Sequence, residues 1–151
     1  MAQESKPTFI IDKVYAKDIS LEVPHAPDIF LEKETPKVEI ALDNKSREVG
    51  KESIEVAIAT TVTAKVGQKV VFLVEVVYAG VFQIKNLPEK DLGPIVGVTC
   101  PNIIFPYVRQ VVSEAISMAG FPPIVLQPVN FEAIYKSRHA SNSDDNQELA
   151  N

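Results

Sequence analysis

The stretch VVFLVEVVY, Val70 to Tyr78, decides the fold, because nearly every residue in it is apolar and most are β-branched or aromatic. Such a run predicts a strand with two apolar faces. Gly67-Gln68 just before it is a hairpin turn signal, since glycine can adopt positive φ. We therefore expect an antiparallel neighbour before the turn and a second layer that covers the strand.

The segments that precede the turn alternate with the period of a β-strand. One strand is predicted from Pro36 to Asp43, and its apolar face carries Val38, Ile40 and Leu42. Asn44 to Lys51 contains turn residues and charge. Alternation then resumes from Ile54 to Thr63, with a second face that is small and weakly polar.

A further strand is predicted at the N-terminal end of the chain. Thr8 to Glu22 is rich in β-branched and aromatic residues, and its alternation changes phase in the middle, which predicts a bend or a bulge. Prolines in Val23 to Pro27 end this strand, because proline lacks an N–H and keeps its predecessor extended. A loop follows to about Pro36.

The C-terminal half has the pattern of helices. Asn86 to Gly97 reads as a long connection, after which apolar residues recur at helical spacing from Pro101 until Gly120. Phe121 to Val129 is too rich in proline for a helix or sheet interior and is expected to be an extended loop. Asn130 is a plausible N-cap for a short second helix, Phe131 to about Arg138.

These elements predict an α+β fold with a four-stranded antiparallel sheet, arranged as a simple meander, and two C-terminal helices packed on one face. Residues 1–136 form the predicted domain. The polar segment 137–151 is expected to be a disordered acidic tail.

Composition excludes several classes of function. The formal net charge is −5, and the basic residues are scattered, which is unfavourable for binding nucleic acid. We find no signal peptide and no segment that approaches the length of a spanning helix, so we expect a cytoplasmic protein without membrane insertion. Cys100 is the only cysteine and cannot form an intramolecular disulfide. We expect it to be a buried small apolar residue.

The residues needed for catalysis are also missing from the pattern. His25 lies in the proline loop and His139 in the polar tail, and neither segment predicts the rigid support that a catalytic group requires. The glycines Gly93 and Gly97 match no phosphate-binding motif and read as a turn. We therefore predict no catalytic residues, no metal site and no cofactor.

Three acidic residues need a separate explanation. Asp18 and Glu22 are spaced to share one face of the first strand, and Glu75 is the one charged residue in Val70 to Tyr78. A carboxylate there must reach water or a cation. A sheet face that presents all three would suit a basic partner, although ordinary solubilising charge explains the same residues.

The second apolar face of the Val70 to Tyr78 strand must be covered either by the helices of the domain or by another subunit. We favour a subunit contact, and the expected interface residues are Val74, Val76 and Tyr78.

Three segments taken together resemble the SecB family of bacterial protein-export chaperones. They are KDISLEVPHAP (Lys17 to Pro27), CPNIIFPYVR (Cys100 to Arg109) and FPPIVLQPVNFEAIY (Phe121 to Tyr135). The resemblance covers about Phe9 to Tyr135 with the segment order kept. Its proline-rich elements are unusual for a generic helix start or loop.

The resemblance implies a homotetramer, a dimer of dimers, that holds unfolded precursor proteins and delivers them to the SecA ATPase without hydrolysing anything itself. The family's acidic sheet face receives the basic, zinc-containing tail of SecA, so any zinc belongs to that partner. The matching residues for this contact are Asp18, Glu22, Leu73 and Glu75. The matching residues for apolar client grooves are Val38, Ile40, Leu42, Ile124, Leu126, Phe131 and Ile134.

Two alternatives remain open at this point. One is a SecB-like chaperone that serves another system, such as the control of a toxin–antitoxin pair. The other is an α+β domain that binds a small molecule between its sheet and helices, although no convergent set of polar residues is visible in the sequence.

Overall fold

The computed structural model describes residues 6–149, with side chains for residues 6–140. Its four strands are β1 (Thr8–Glu22), β2 (Lys37–Val49), β3 (Ser53–Val66) and β4 (Lys69–Lys85). Two long helices follow, α1 (Glu89–Met118) and α2 (Phe131–Leu149). A short 3-10 turn, Asp28–Leu31, lies in the connection between β1 and β2.

The four strands form one antiparallel sheet in the order β1-β4-β3-β2. The antiparallel sheet with helices packed on it confirms the predicted fold class, but the simple meander is wrong for β1. Strands β2, β3 and β4 are joined by tight turns at Gly50 and Gly67, where φ is +65° and +61°. The connection from β1 to β2 is long, so it crosses the end of the sheet and lets β1 pair with β4 instead.

Strand β1 contains the predicted irregularity, and contains it twice. Its register with β4 shifts between Ile11 and Lys13 and again between Ala16 and Asp18. Each extra residue exchanges the two faces of the strand. The shifts keep apolar side chains on the face that α1 covers, as the ring contact between Phe9 and Phe82, 5.6 Å between centroids, illustrates.

Two strand boundaries differ from the prediction. The predicted turn from Asn44 to Lys51 is wrong as far as Val49, because β2 stays paired with β3 up to that residue and the turn is confined to residues 50–52. Likewise β4 continues past Tyr78 to Lys85. In β2, pairing with the long neighbouring strand β3 outweighs the weak propensity of polar residues for sheet.

Helix α1 begins at Glu89, so the loop predicted from Asn86 to Gly97 is wrong beyond its first residues. Prolines 94, 101 and 106 lie inside this helix, and the residues between the first two, Ile95–Thr99, form a π-helical segment. A wider turn of this kind accommodates the missing N–H donors without ending the helix. Gly120, which has φ +92°, follows the end of α1, as predicted.

The core lies between α1 and the central strands β3 and β4. Ile104, Val108 and Val112 of α1 have no exposed surface and pack over the sheet. Val74 and Val76 are likewise completely buried in this layer. The prediction that these two residues contact another subunit is therefore wrong, because α1 of the same chain covers them. Tyr78 is half-buried and stacks on Tyr107, and its part in an interface stays a prediction.

One composition-based expectation also needs correction. An 18-residue window of α1 has a mean hydropathy of 1.3, which suffices by length and composition for a membrane span. The buried face of α1 accounts for much of this apolar character, since a core helix satisfies the same criterion.

Helix α2 has the predicted N-cap but a different end. The Ala133 amide donates a hydrogen bond to Oδ1 of Asn130 at 3.0 Å, the expected N-cap geometry. The helix then continues to Leu149, so the predicted end near Arg138 is wrong, and the disorder of the tail stays a prediction. Neither proline nor glycine interrupts this stretch. Residues 150–151 lie outside the described residues.

Gly93 and Gly97 form a platform on α1 for the ring of Tyr135 from α2. A Cβ at Gly97 would lie 2.5 Å from Cδ2 of Tyr135, and a Cβ at Gly93 would meet its hydroxyl. Contacts this close are not tolerated without displacement. The two glycines therefore allow α2 to dock, and the turn predicted from them is wrong.

We expect Gly97→Ala to destabilise the protein by about 1–3 kcal/mol in urea unfolding, because the clash with Tyr135 outweighs alanine's higher helix propensity. Tyr135→Phe is the control. Combined with Gly93→Ala, which clashes with the Tyr135 hydroxyl, it should restore stability. Combined with Gly97→Ala, which clashes with the ring, it should not. A stabilised Gly97→Ala protein would contradict this packing.

Candidate functional site

An apolar groove of about 620 Å³ runs between β2 and the extended segment that follows α1. Five of the seven predicted client-contact residues meet in it. The groove is lined by Val38, Ile40, Leu42, Phe105, Ile124, Val125, Leu126, Gln127, Pro128 and Val129. Residues far apart in the sequence therefore form one continuous apolar surface.

The groove exposes apolar side chains and a strand edge together. Ile40 is 51% exposed and Val125 is 63% exposed, although both are large and apolar. Strand β2 is an outer strand that pairs with β3 alone within the described sheet. Its other edge presents backbone N–H and C=O groups to an incoming extended chain. This geometry can bind a polypeptide through both its side chains and its backbone.

Phe131 and Ile134 do not line this groove. Phe131 is 1% exposed and packs edge-on against Phe105, with ring centroids 5.9 Å apart, so its predicted role as a client-contact surface is wrong. Ile134 is half-buried beside the same core and outside the groove lining. An apolar residue that matches the family fits core packing as well as client contact, which is the physical reason for the error.

Phe105, Val125 and Val129 line the groove and were not predicted. Phe105 follows the apolar spacing of α1, which indicates a core residue and gives no sign of a binding surface. Arg109 fixes this part of the groove, because its Nε donates to the Leu126 carbonyl at 2.8 Å and its guanidinium lies 4.9 Å from the Phe105 ring centroid. The loop wall is thus held against α1.

The opposite, outer face of the sheet carries the predicted acidic residues. Asp18, Ser20 and Glu22 of β1 pair with Val77, Glu75 and Leu73 of β4. Glu75 therefore lies diagonally between Asp18 and Glu22, and all three carboxylates are exposed. We call Asp18, Glu22, Leu73 and Glu75 the acidic patch. The predicted common face is confirmed as geometry, and the binding role of these residues stays a prediction.

A second charged cluster on the outer face was not predicted. Glu55 of β3 has a side chain that is 8% exposed, and its carboxylate accepts hydrogen bonds from the Tyr15 hydroxyl and from Lys17 Nζ, the latter at 3.0 Å. Nε of Arg47 lies 3.5 Å from Oε1 of Glu55. The hydrogen bond from Tyr15, assisted by Lys17, lowers the pKa of Glu55 against the effect of burial. Period-two spacing alone could not show that Tyr15 reaches Glu55 across β4.

Burial and the neighbouring Glu55 raise the pKa of Tyr15 to about 12. Because this pKa is raised in the folded state, the resulting stability is complete below about pH 10 and is lost as pH rises through 12. We expect Tyr15→Phe to remove the tyrosine ionisation with the highest pKa from a spectrophotometric pH titration. It should also reduce the loss of urea stability between pH 10 and pH 12. A titration near 12 that persists in Tyr15→Phe would contradict this assignment.

The remaining candidates for chemistry do not assemble into a site. Cys100 is buried, as expected, and burial raises the pKa of its thiol to about 12. His139 packs against Tyr135, with ring centroids 4.1 Å apart. Among the residues that the structure describes, no group of three His, Cys, Asp or Glu side chains is placed to hold a metal ion.

Strand β1 exposes four large apolar side chains, on both of its faces, that the sequence analysis did not assign to an interface. Phe9, Ile10, Ile11 and Ile19 are 38–49% exposed. They lie on the second outer strand of the sheet, which pairs with β4 alone within the described residues. Exposed apolar residues on a long edge strand are typical of a surface that another chain covers.

A family model and individual relatives of known name both match this chain, and they agree on the same family. Residues 2–142 match the family model described as preprotein translocase subunit SecB. The chain is 57% identical over 138 residues to the protein-export protein SecB of Dechloromonas aromatica, covering 91% of each chain. It is 54% identical over 134 residues to that of Methylobacillus flagellatus, covering 89% of this chain and 85% of the relative.

A solved structure shows the same fold at low sequence identity. It is a SecB-like chaperone of Mycobacterium tuberculosis in complex with a peptide from an antitoxin. The TM-score is 0.65 at 15% identity, and the match covers 81% of this chain and 91% of the other.

Proposed function

The chain belongs to the SecB family, and we propose that it is an export chaperone that holds unfolded precursor proteins and delivers them to the SecA ATPase. Two relatives, 54% and 57% identical to this chain, carry the name protein-export protein SecB. The matches cover 85% and 91% of their length. The observation that carries the proposal is the placement of the apolar groove and the acidic patch on different surfaces of one sheet.

The groove suits unfolded clients. Unfolded chains share only apolar side chains and unpaired backbone groups, and the groove offers partners for both, through Ile40 and Val125 and through the edge of β2. Its lining is almost entirely apolar and contains no ionisable side chain. This argues against a small-molecule site, which requires a few convergent polar groups. We propose that the protein acts as a holdase and not as an enzyme, without a cofactor.

The acidic patch suits the basic tail of SecA. The three carboxylates share one face of the sheet, with Leu73 opposite Glu22 and two residues from Glu75, so the patch combines negative charge with an apolar contact. Such a surface attracts a basic segment and orients it. Because client and tail would occupy different surfaces, a loaded chaperone can still dock on SecA.

We further propose a cytoplasmic homotetramer built as a dimer of dimers. The exposed apolar side chains on the two faces of the edge strand β1, those of Phe9, Ile10, Ile11 and Ile19, support a subunit contact along this edge. Several grooves in one assembly would bind one long client simultaneously, and the effective concentration would compensate for weak contact at each groove.

The proposal predicts a ternary complex, which size-exclusion chromatography can test with purified SecA and a chemically unfolded client. We expect all three proteins to co-elute, because the two binding surfaces do not overlap. If bound client excludes SecA, or if SecA never joins the complex, delivery from this arrangement is contradicted.

A further inference from the structure

The acidic patch depends on a β-bulge. Between Ala16 and Asp18 the register of β1 with β4 shifts, and Lys17 is the extra residue without a place in the pairing. Because strand side chains alternate, one extra residue exchanges the two faces for everything that follows it. Asp18 and Glu22 consequently lie on the outer face of the sheet.

Without this bulge the two faces would be exchanged. Ile19 and Leu21 now lie on the side that faces α1, where they pair with Val76 and Val74. In an unbroken strand these two apolar residues would occupy the outer face beside Glu75. The carboxylates would then lie on the opposite face, and no acidic patch would exist.

Glu55 holds the bulge from a strand that is not adjacent to it. Its carboxylate accepts a hydrogen bond from Tyr15, before the bulge, and another from Lys17, the bulged residue itself. Ala79 of β4 lies opposite Tyr15 and is completely buried, so a small side chain leaves room for Tyr15 to cross β4. The Glu55 side chain is 8% exposed, so these bonds are weakly screened by water.

We propose that Glu55 is a positioning residue for the acidic patch. By fixing Tyr15 and Lys17 it fixes the bulge, and through the bulge it fixes the face on which Asp18 and Glu22 lie. The inference rests on the proposed docking of the SecA tail at this patch. Glu55 is itself occupied by its three cationic and hydroxyl partners, so its effect on the tail is exerted through β1.

The test compares Glu55→Gln with Glu52→Gln. Both variants remove one negative charge from an ion pair of the sheet, but Glu55 pairs with Lys17 and Arg47, whereas Glu52 pairs with Lys85 at 2.8 Å, away from the bulge. A zinc-loaded, fluorescently labelled peptide with the SecA tail sequence is titrated against each protein. Amide hydrogen exchange is followed across residues 16–22.

We expect Glu55→Gln to weaken tail binding about tenfold and to accelerate exchange at residues 16–22, with client holding unchanged. Glu52→Gln should change neither. Tyr15→Phe, which removes one hydrogen bond and no charge, should change both measurements in the same direction as Glu55→Gln by a smaller factor.

Equal weakening in Glu55→Gln and Glu52→Gln would overturn the proposal, because net charge would then explain the effect. Weaker binding with unchanged exchange at residues 16–22 would overturn it too, since the bulge would not have moved. Absence of tail binding by the unaltered protein would contradict the proposed function instead. The exchange data alone would then decide whether Glu55 fixes the bulge.

Discussion

Ile40→Asp is expected to weaken the binding of an unfolded client about a hundredfold, because it removes apolar contact area from the middle of the groove and requires a carboxylate to lose water. Ile40 is 51% exposed, so the fold should tolerate the change. The measurement is suppression of client aggregation, with affinity taken from fluorescence titration of a labelled, permanently unfolded client.

Ala41→Asp is the matched control. Ala41 is the next residue of β2, also exposed, and its side chain points to the other face of the sheet, away from the groove. It adds the same charge to the same strand, and client binding should remain close to that of the unaltered protein. Equal losses in the two variants would show that general charge repulsion, and not the groove, determines client binding.

Reversal of all three carboxylates in the acidic patch, Asp18→Lys, Glu22→Lys and Glu75→Lys together, is expected to weaken binding of the SecA tail more than about a hundredfold. The tail is basic, so attraction becomes repulsion. All three side chains are exposed, and the fold and the client groove should be unaffected. Fluorescence anisotropy of the labelled tail measures the affinity, and the salt dependence of binding should diminish with it.

A second triple variant separates local from net charge. Glu34, Glu48 and Asp91 are exposed acidic residues outside the patch, and their replacement by lysine changes the net charge by the same amount. Tail affinity should fall far less in this protein. Comparable losses in both triple variants would contradict a localised docking site and would indicate a general electrostatic attraction.

The strands could be predicted from the sequence because apolar and polar residues alternate where one face of a strand is buried and the other is exposed. The long apolar run of β4, the turn at Gly67 and the change of phase in β1 each correspond to an observed feature. The order of strands could not be predicted in the same way. Whether β1 joins β2 or β4 depends on tertiary packing, and the residues of the connecting loop do not encode it.

The predicted helix boundaries were wrong where local sequence preferences conflicted with tertiary contacts. Proline and glycine in Asn86 to Gly97 predicted a connection, with the helix beginning at Pro101, yet packing on the sheet and a π-helical segment keep Glu89–Met118 helical. Gly93 and Gly97 looked like turn residues, although each makes room for the ring of Tyr135. Sequence spacing contains no information about which distant side chain needs such space.

The site was predicted in part for the same reason. The common strand face of Val38 and Ile40 follows from periodicity, and the family resemblance implied their role in a groove together with Ile124 and Leu126. Phe131 was misassigned because an apolar residue that matches the family can be either core or contact surface until its burial is known. Glu55 was missed because its partners lie on β1 and β2, on either side of it in the sheet.

The proposed function requires this protein to hold unfolded polypeptides as an oligomer. Light scattering coupled to size exclusion measures both properties, first with the protein alone and then with a chemically unfolded, slowly folding protein diluted into it. We expect a mass of about four times the 16.6 kDa chain, and an additional mass when the unfolded client, but not the native one, is present. A monomer whose mass does not change with unfolded client would refute both the tetramer and the holdase function.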